Sequence, residues 1–138
     1  MQEFKPTVLV VEDEPGVRTL IATLLRLAGF EALHCADAGE AQELMAVHGD
    51  CIRLLVTDVN LGPEEDGVEL ARLLRLRFPR LRVLYISGLV DDSPIAAEVA
   101  AGRAFALSKP FTSRSLTGKI TSILDLRHRV ELGDPVFD

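Results

Sequence analysis

Hydrophobic residues in this 138-residue chain fall into two alternating patterns. Short, nearly continuous apolar runs are typical of strands that are buried on both faces of a sheet. The clearest run is Leu54-Leu55-Val56-Thr57-Asp58, and a second is Thr7-Val8-Leu9-Val10-Val11. Three shorter runs span Glu31 to Cys35, Arg82 to Ser87 and Phe105 to Ser108. The pattern predicts five strands, with the strand that ends at Asp58 in the centre of the sheet.

Between these runs, apolar residues recur every three or four positions, which is the spacing of an amphipathic helix. The predicted helical segments run from Pro15 to Gly29, Asp37 to Gly49, Val68 to Pro79, Pro94 to Ala101, and from Thr112 or Ser113 through Leu124. The fourth segment, which Asp92 or Ser93 can cap, carries few large apolar residues and is expected to be the least firmly packed. Regular alternation of strands and helices predicts an α/β fold, with one parallel sheet and helices on both faces.

Composition narrows the class of protein. With 48% hydrophobic and 26% charged residues, the chain is expected to form one domain with its own core. The net charge of −6 argues against a nucleic-acid surface. Cys35 and Cys51 do not have the spacing of a disulfide framework, which favours a reducing, cytoplasmic location. No apolar stretch approaches the ~20 residues that span a bilayer, and the amino terminus does not have a signal-peptide pattern.

Four predicted strands end on polar residues that can do chemistry. Glu12 and Asp13 follow the first strand, Asp58 ends the third, Ser87 ends the fourth, and Lys109 follows the fifth. Because parallel strands share one carboxyl edge, these residues are expected to meet in one cleft. Crowded carboxylates raise one another's pKa unless a cation is present, and oxygen ligands of this kind suit Mg²⁺. With a lysine and a serine to hold phosphate oxygens, the set describes a carboxylate nucleophile that accepts a phosphoryl group.

The motifs that carry these residues are Val11-Glu12-Asp13-Glu14, Asp58, Ser87-Gly88 and Lys109-Pro110-Phe111. In their order and approximate spacing the chain resembles the response-regulator receiver domain of two-component signalling, over about residues 6 to 125. The resemblance implies a doubly wound, flavodoxin-like five-stranded parallel sheet with strand order 2-1-3-4-5. It divides the chain into a receiver domain at 6–126 and a carboxyl-terminal tail at 127–138, with no effector domain. The segment from Leu107 to Lys119 and the stretch from Val83 to Gly88 look more like receivers attached to hybrid kinases than like those of DNA-binding regulators. A stand-alone regulator and a hybrid-kinase receiver therefore both stay open.

The resemblance also implies a role for each strand-end residue. Asp58 would be the modified residue, which takes phosphate from a sensor histidine kinase or a histidine phosphotransfer protein. The implied Mg²⁺ ligands are Asp13, Asp58, the backbone carbonyl of Asn60, and Glu12 through a water. The implied phosphate-binding residues are Val59, Ser87, Gly88 and Lys109, and the implied catalytic set is Asp58, Lys109 and Ser87. The peptide before Pro110 would be cis. Output would be contact with an unknown protein, by a monomer or weak dimer, without nucleic acid or membrane.

Two departures from the family pattern affect the expected switch. The loop from Asp58 to Gly67 is one residue longer than usual and is unusually acidic. The family usually has Tyr or Phe three residues before the lysine, and here that residue is Ala106. Its neighbour Phe105 points to the other side of the strand and cannot replace the missing ring. We therefore expect any switch to work through the loop after Ser87 and the fourth helix.

Two other functions stay open. One is a Mg²⁺-dependent phosphohydrolase that forms an aspartyl-phosphate. Such enzymes typically have a general acid two residues after the nucleophile, where this chain has Asn60, which cannot transfer a proton. The other is a receiver-like binding module that no longer switches, which Ala106 favours. The leading prediction is a protein without an external substrate, which catalyses only the phosphorylation and dephosphorylation of Asp58.

Overall fold

The computed structural model describes residues 7–88 and 95–131, with side chains described as far as residue 125. The strands are Thr7–Val11 (β1), Glu31–Cys35 (β2), Ile52–Asp58 (β3), Arg82–Ser87 (β4) and Phe105–Ser108 (β5). The helices are Pro15–Leu27 (α1), Ala38–His48 (α2), Gly67–Arg77 (α3), Ala96–Ala100 (α4) and Ser113–Glu131 (α5). Strands and helices alternate, as the hydrophobic pattern predicts.

The strands form one parallel sheet in the order β2-β1-β3-β4-β5. The predicted strand order is therefore confirmed. The middle strand is β3, where Val56 pairs with Val10 of β1 and with Leu84 of β4. Helices cover both faces of this strand, which explains why its sequence is almost continuously apolar.

Two separate hydrophobic cores cover the two faces of the sheet. On the α1/α5 face, helices α1 and α5 pack on strand residues such as Val10 and Val56. The buried helix residues there are Ile21, Ala22, Leu25, Leu116, Ile120, Ile123 and Leu124. On the α2/α3/α4 face, the alternate strand residues, such as Leu9 and Leu55, pack against α2, α3 and the segment at α4. Successive side chains of a strand point to opposite faces of the sheet, so the same strands contribute residues to both cores.

Side chains cap several helices at their amino ends. Asp37 Oδ1 accepts a hydrogen bond from the Glu40 amide at 2.8 Å, as its predicted capping role requires. Asp66 Oδ1 accepts from the Val68 amide at 2.8 Å and caps α3. These caps fix where α2 and α3 begin, next to the carboxyl edge of the sheet.

The structure differs from the prediction mainly at element ends. β3 begins at Ile52, two residues before the predicted start. α4 has five residues, none of them buried, and the predicted cap residues Asp92 and Ser93 lie outside the described residues. α5 continues to Glu131, so the first five residues of the predicted tail, 127–131, are helical. Across 7–88 and 95–131, none of the helices combines the length and the apolar character that a membrane span requires.

Candidate functional site

The polar residues predicted at the strand ends meet at the carboxyl edge of the sheet. A cavity of about 100 Å³ opens there between the ends of β3, β4 and β5. Its lining residues are Asp58, Val59, Asn60, Ile86, Ser87, Gly88 and Lys109. Six of these seven residues belong to the set that the sequence predicts. The cavity is large enough for a small polar group and is bordered by both a carboxylate and an ammonium.

Three carboxylates converge beside this cavity. Glu12, Asp13 and Asp58 each contribute one oxygen, and these oxygens lie within 4.8 Å of one another. Glu12 and Asp58 are buried, whereas Asp13 is exposed. Glu12 and Asp13 directly follow β1 and are far in sequence from Asp58 at the end of β3, and the pairing of the two strands brings them together. An acidic cluster of this kind can hold a metal ion.

Lys109 provides the positive charge of the site. Its Nζ lies 2.9 Å from Asp58 Oδ1 and 3.9 Å from Glu12 Oε1. Burial lowers the pKa of Lys109, but the hydrogen bond and charge of Asp58, with the charges of Glu12 and Asp13, outweigh burial and raise it. The Lys109 amide donates to the Ser87 carbonyl at 2.9 Å, and the peptide between Lys109 and Pro110 is cis, as predicted. Lys109 therefore stays charged beside the acidic cluster.

The Glu12 carboxyl has a strongly altered pKa. Burial is the main cause that raises this pKa from 4.5 to about 8, and the hydrogen bond with Asp58 acts in the same direction. The Glu14 amide, which donates to Glu12 Oε2 at 3.1 Å, and the charge of Lys109 oppose the change. Burial and the neighbouring Asp58 carboxylate thus outweigh the opposing effects of the Glu14 amide and Lys109.

The donor atoms fit a hard divalent cation. They are carboxylate oxygens from two strands, next to the loop that carries Asn60. Asp58 Oδ1 is buried and lies 2.9 Å from Lys109 Nζ. A buried carboxylate oxygen with one such neighbour can still accept a further ligand.

Backbone hydrogen bonds hold the loop after β3 against the neighbouring strand. The Val59 amide donates to the Ile86 carbonyl at 3.2 Å, and the Gly67 amide donates to the Val59 carbonyl at 2.7 Å. Val59 therefore lines the cavity with its own N–H engaged in the fold. Glu65, in the acidic part of the loop, accepts from the Ala38 amide at 3.1 Å and so contacts the start of α2.

Gly67 is a site residue that the sequence analysis did not single out. A Cβ atom at this position would lie 1.8 Å from the carbonyl oxygen of Asp58 and 2.9 Å from Thr57 Oγ1. The start of α3 therefore packs directly on the backbone of the candidate nucleophile, which only glycine allows. The sequence contains one indication of this role, because Gly67 directly follows the capping residue Asp66 in the loop after the strand that ends at Asp58.

The structure also defines the surroundings of Ala106. Ala106 packs on the α2/α3/α4 face and Phe105 on the opposite face, so the predicted separation of the two residues is confirmed. In the sheet, Ala106 is the register partner of Tyr85 on β4. The buried Tyr85 ring lies on the same face, and its hydroxyl has no hydrogen-bond partner among the described residues. This pairing cannot be predicted from the sequence of either strand alone, because it depends on the register between β4 and β5.

With the site described, comparisons with known proteins identify its family. Residues 8–121 match the model of the response regulator receiver domain. The chain belongs to the response regulator receiver domain family. The chain therefore has the phosphoacceptor role of receiver domains in two-component signalling.

Similar proteins include receivers in two arrangements. Sensor kinase CckA of Brucella abortus (strain 2308) is 34% identical over 120 residues, which are 86% of this chain but 12% of that protein. Response regulator receiver protein CpdR of the same strain is 32% identical over 124 residues, or 85% of this chain and 95% of that protein. A crystal structure of the receiver domain from hybrid histidine kinase CckA has a TM-score of 0.71 and 31% identity, and the match covers 86% of this chain and 98% of that one. Relatives of this chain thus include a short receiver protein and a receiver within a much longer kinase.

Proposed function

We propose that Asp58 is the residue that accepts the phosphoryl group. The observation that carries the proposal is the 2.9 Å contact between Lys109 Nζ and Asp58 Oδ1 beside the cavity. A buried carboxylate that is paired with an ammonium and open to a small polar cavity has the surroundings of a carboxylate nucleophile. The proposed donor is a phosphohistidine of a sensor histidine kinase or of a phosphotransfer protein.

In the proposed transfer, an Asp58 oxygen bonds to phosphorus while the bond from phosphorus to the donor's imidazole nitrogen breaks. The electron pair of that bond stays on the imidazole. We assign Lys109 to offset negative charge on the phosphoryl oxygens, and Ser87 to donate a hydrogen bond to one of them. Such a transfer depends mainly on positioning and charge stabilisation, which are the roles assigned to these side chains.

We assign Mg²⁺ as the cation of the acidic cluster. Asp13, Asp58 and the backbone carbonyl of Asn60 would hold it, with Glu12 acting through a water. The support is the chemistry of the donor set, in which the described side chains of the cluster offer only carboxylate oxygens. Bound Mg²⁺ supplies the charge that neutralises phosphoryl oxygens during transfer.

The proposed activity is limited to phosphorylation and dephosphorylation of Asp58, without an external substrate. Output then passes by contact with another protein, whose binding depends on the phosphoryl group. Cys35 and Cys51 are both free thiols, which supports the cytoplasmic location included in this proposal.

Ala106 supports a second candidate, a receiver that binds its partner without switching. Its small side chain leaves no ring at that position of β5 to turn inward after phosphorylation. Once a partner has been isolated with the phosphorylated chain, its affinity for the two forms decides between the candidates. Equal affinity for both forms would support the non-switching module.

The acceptor assignment is tested by incubating the chain with Mg²⁺ and a small phosphodonor, and weighing the intact protein. We expect the mass of one added phosphoryl group in the wild type, and none in Asp58→Asn or after chelation of Mg²⁺. The matched control is Asp50→Asn, which removes an exposed carboxylate away from the acidic cluster and should leave the added mass unchanged. A phosphoryl group that persists in Asp58→Asn would refute the assignment.

A further inference from the structure

The amino edge of the sheet, opposite the candidate phosphoacceptor site, gathers arginine residues. Arg82 is the first residue of β4 and Ser87 its last, so the two ends of this strand are about 17 Å apart. The segments around Arg82 at the amino edge are the loop before β4 and the loop before β5. We call Arg75, Arg80, Arg82 and Arg103 the arginine edge. This local concentration of positive charge contrasts with the net charge of −6 of the whole chain.

The arginine edge surrounds a cavity of about 380 Å³. Its lining consists of the four arginines with Pro79, Leu81, Gly102 and Phe105, and no carboxylate is among these described residues. The volume lies in the range of small-molecule sites. Guanidinium groups bind phosphate and carboxylate groups through paired N–H donors, and an aromatic ring in the same lining provides an apolar surface.

The arginines of the arginine edge differ in the hydrogen bonds and ion pairs that they form within the protein. Arg75 Nη1 lies 2.9 Å from Glu98 Oε1, and Arg75 also donates to the Arg103 carbonyl, so it is held in place. In contrast, Arg82 Nε is buried and has no hydrogen-bond partner among the described residues. A buried donor on a charged group costs free energy unless an acceptor reaches it. Because Arg82 lines the cavity, an acceptor bound there would lie beside its guanidinium group.

A second cavity continues the same surface. It has a volume of about 460 Å³ and shares Pro79, Arg80 and Leu81 with the first. Arg53, Arg77 and Phe78 line it as well, and Asp50 is the one carboxylate in its described lining. The two cavities are concave and predominantly basic, which favours a small anion over an extended flat partner.

We propose that the arginine edge is a binding site for a phosphate-bearing small molecule. The phosphate group would accept hydrogen bonds from Arg82 and Arg103. The source of that group is either a nucleotide, whose base would contact Phe105, or a simple phosphate or pyrophosphate ion. The site does not depend on the phosphoacceptor chemistry at the other edge of the sheet.

Titration of the intact chain with pyrophosphate, followed by NMR at constant ionic strength, tests the proposal. We expect amide shifts at residues 80–82 and 102–105, and binding weakened by about tenfold in Arg82→Gln and in Arg103→Gln. Arg103 is exposed, so its substitution checks the result if Arg82→Gln perturbs folding. The matched control is Arg114→Gln, which removes an exposed arginine from α5 and should change binding by less than about twofold.

A second titration with ADP distinguishes the two sources. Tighter binding of ADP than of pyrophosphate, lost in Phe105→Leu, would identify a nucleotide, whereas equal binding would identify a simple phosphate. Either result supports the site. Shifts confined to Val59, Ser87 and Lys109, equal weakening in Arg114→Gln, or no binding at millimolar pyrophosphate would overturn it. Binding of an acidic peptide without pyrophosphate binding would also overturn it.

Discussion

The two faces of the sheet are built from the same strands but are covered very differently. On the α1/α5 face, α1 and α5 are 13 and 19 residues long and bury a dense set of aliphatic side chains. On the α2/α3/α4 face, α3 buries Leu70, Ala71 and Leu74, but α2 buries only Ala41 and Met45, and α4 has five residues with none buried. That face also contains the Tyr85 hydroxyl, which has no hydrogen-bond partner in 7–88 and 95–131. Local opening is easiest where few apolar contacts must break, so this difference favours movement at α4 over movement at α5.

The largest expected effect compares one truncation on each face. Leu116→Ala on α5 removes a fully buried side chain and should lower the free energy of unfolding by about 2–5 kcal/mol. Val99→Ala on α4 removes a half-buried side chain and should cost less than about 1 kcal/mol. Urea denaturation of both variants measures the difference. Similar losses would show that the two faces are equally tight.

The acidic cluster, at the carboxyl edge between the two faces, should make stability depend on pH. Glu12 has a folded-state pKa of about 8 and an ordinary value of 4.5, so between these values the folded chain keeps a proton that the unfolded chain has released. Without a divalent cation, the free energy of unfolding should therefore fall as pH rises from 4.5 to 8, by at most about 1.4 kcal/mol per pH unit.

Denaturation at several pH values in the presence of a chelator measures this slope. Glu12→Gln should flatten it, and Mg²⁺ should reduce it because bound cation favours the ionised carboxylates. Glu14→Gln is the matched control, because Glu14 is an exposed neighbour and its side chain does not cap α1. A slope that Glu12→Gln leaves intact would assign the titration to another group.

The smallest expected effect concerns the α2/α3/α4 face itself. Tyr85→Phe keeps the ring and removes a buried hydroxyl that is unpaired within the described part of the chain, so it should stabilise the chain by about 1 kcal/mol. Thermal or urea unfolding measures the change, and phosphorylation of Asp58 should be unaffected. A loss of stability in this variant would mean that the hydroxyl has a partner in solution.

Much of the fold follows from local sequence because each strand is a short apolar run with clear ends. The bounds of β1, β2, β4 and β5 agree with the prediction, and a polar or glycine residue directly follows β1, β4 and β5. The convergence of Asp13, Asp58 and Lys109 was predictable for a related reason. A parallel sheet places all strand ends at one edge, so the last residue of each run is enough to locate the site.

Other features depend on contacts that no local pattern records. The approach of Gly67 to the Asp58 carbonyl is a backbone contact set by how α3 packs. The pairing of Tyr85 with Ala106 depends on register between two strands. The residues of the arginine edge come from α3, β4 and two loops, so no continuous run of basic residues in the sequence predicts it. The Ala-rich composition of α4 did predict weak packing, but the length of that helix differed from the prediction.

The contact at Gly67 limits how the loop after β3 can vary among variants of this chain. Because even a methyl group there would overlap the Asp58 carbonyl, this end of the loop is anchored to the candidate nucleophile. Insertions and deletions can then be absorbed only upstream, between Asn60 and Asp66. We therefore expect an engineered change of length or charge to preserve the geometry at Asp58 only when it lies in that interval.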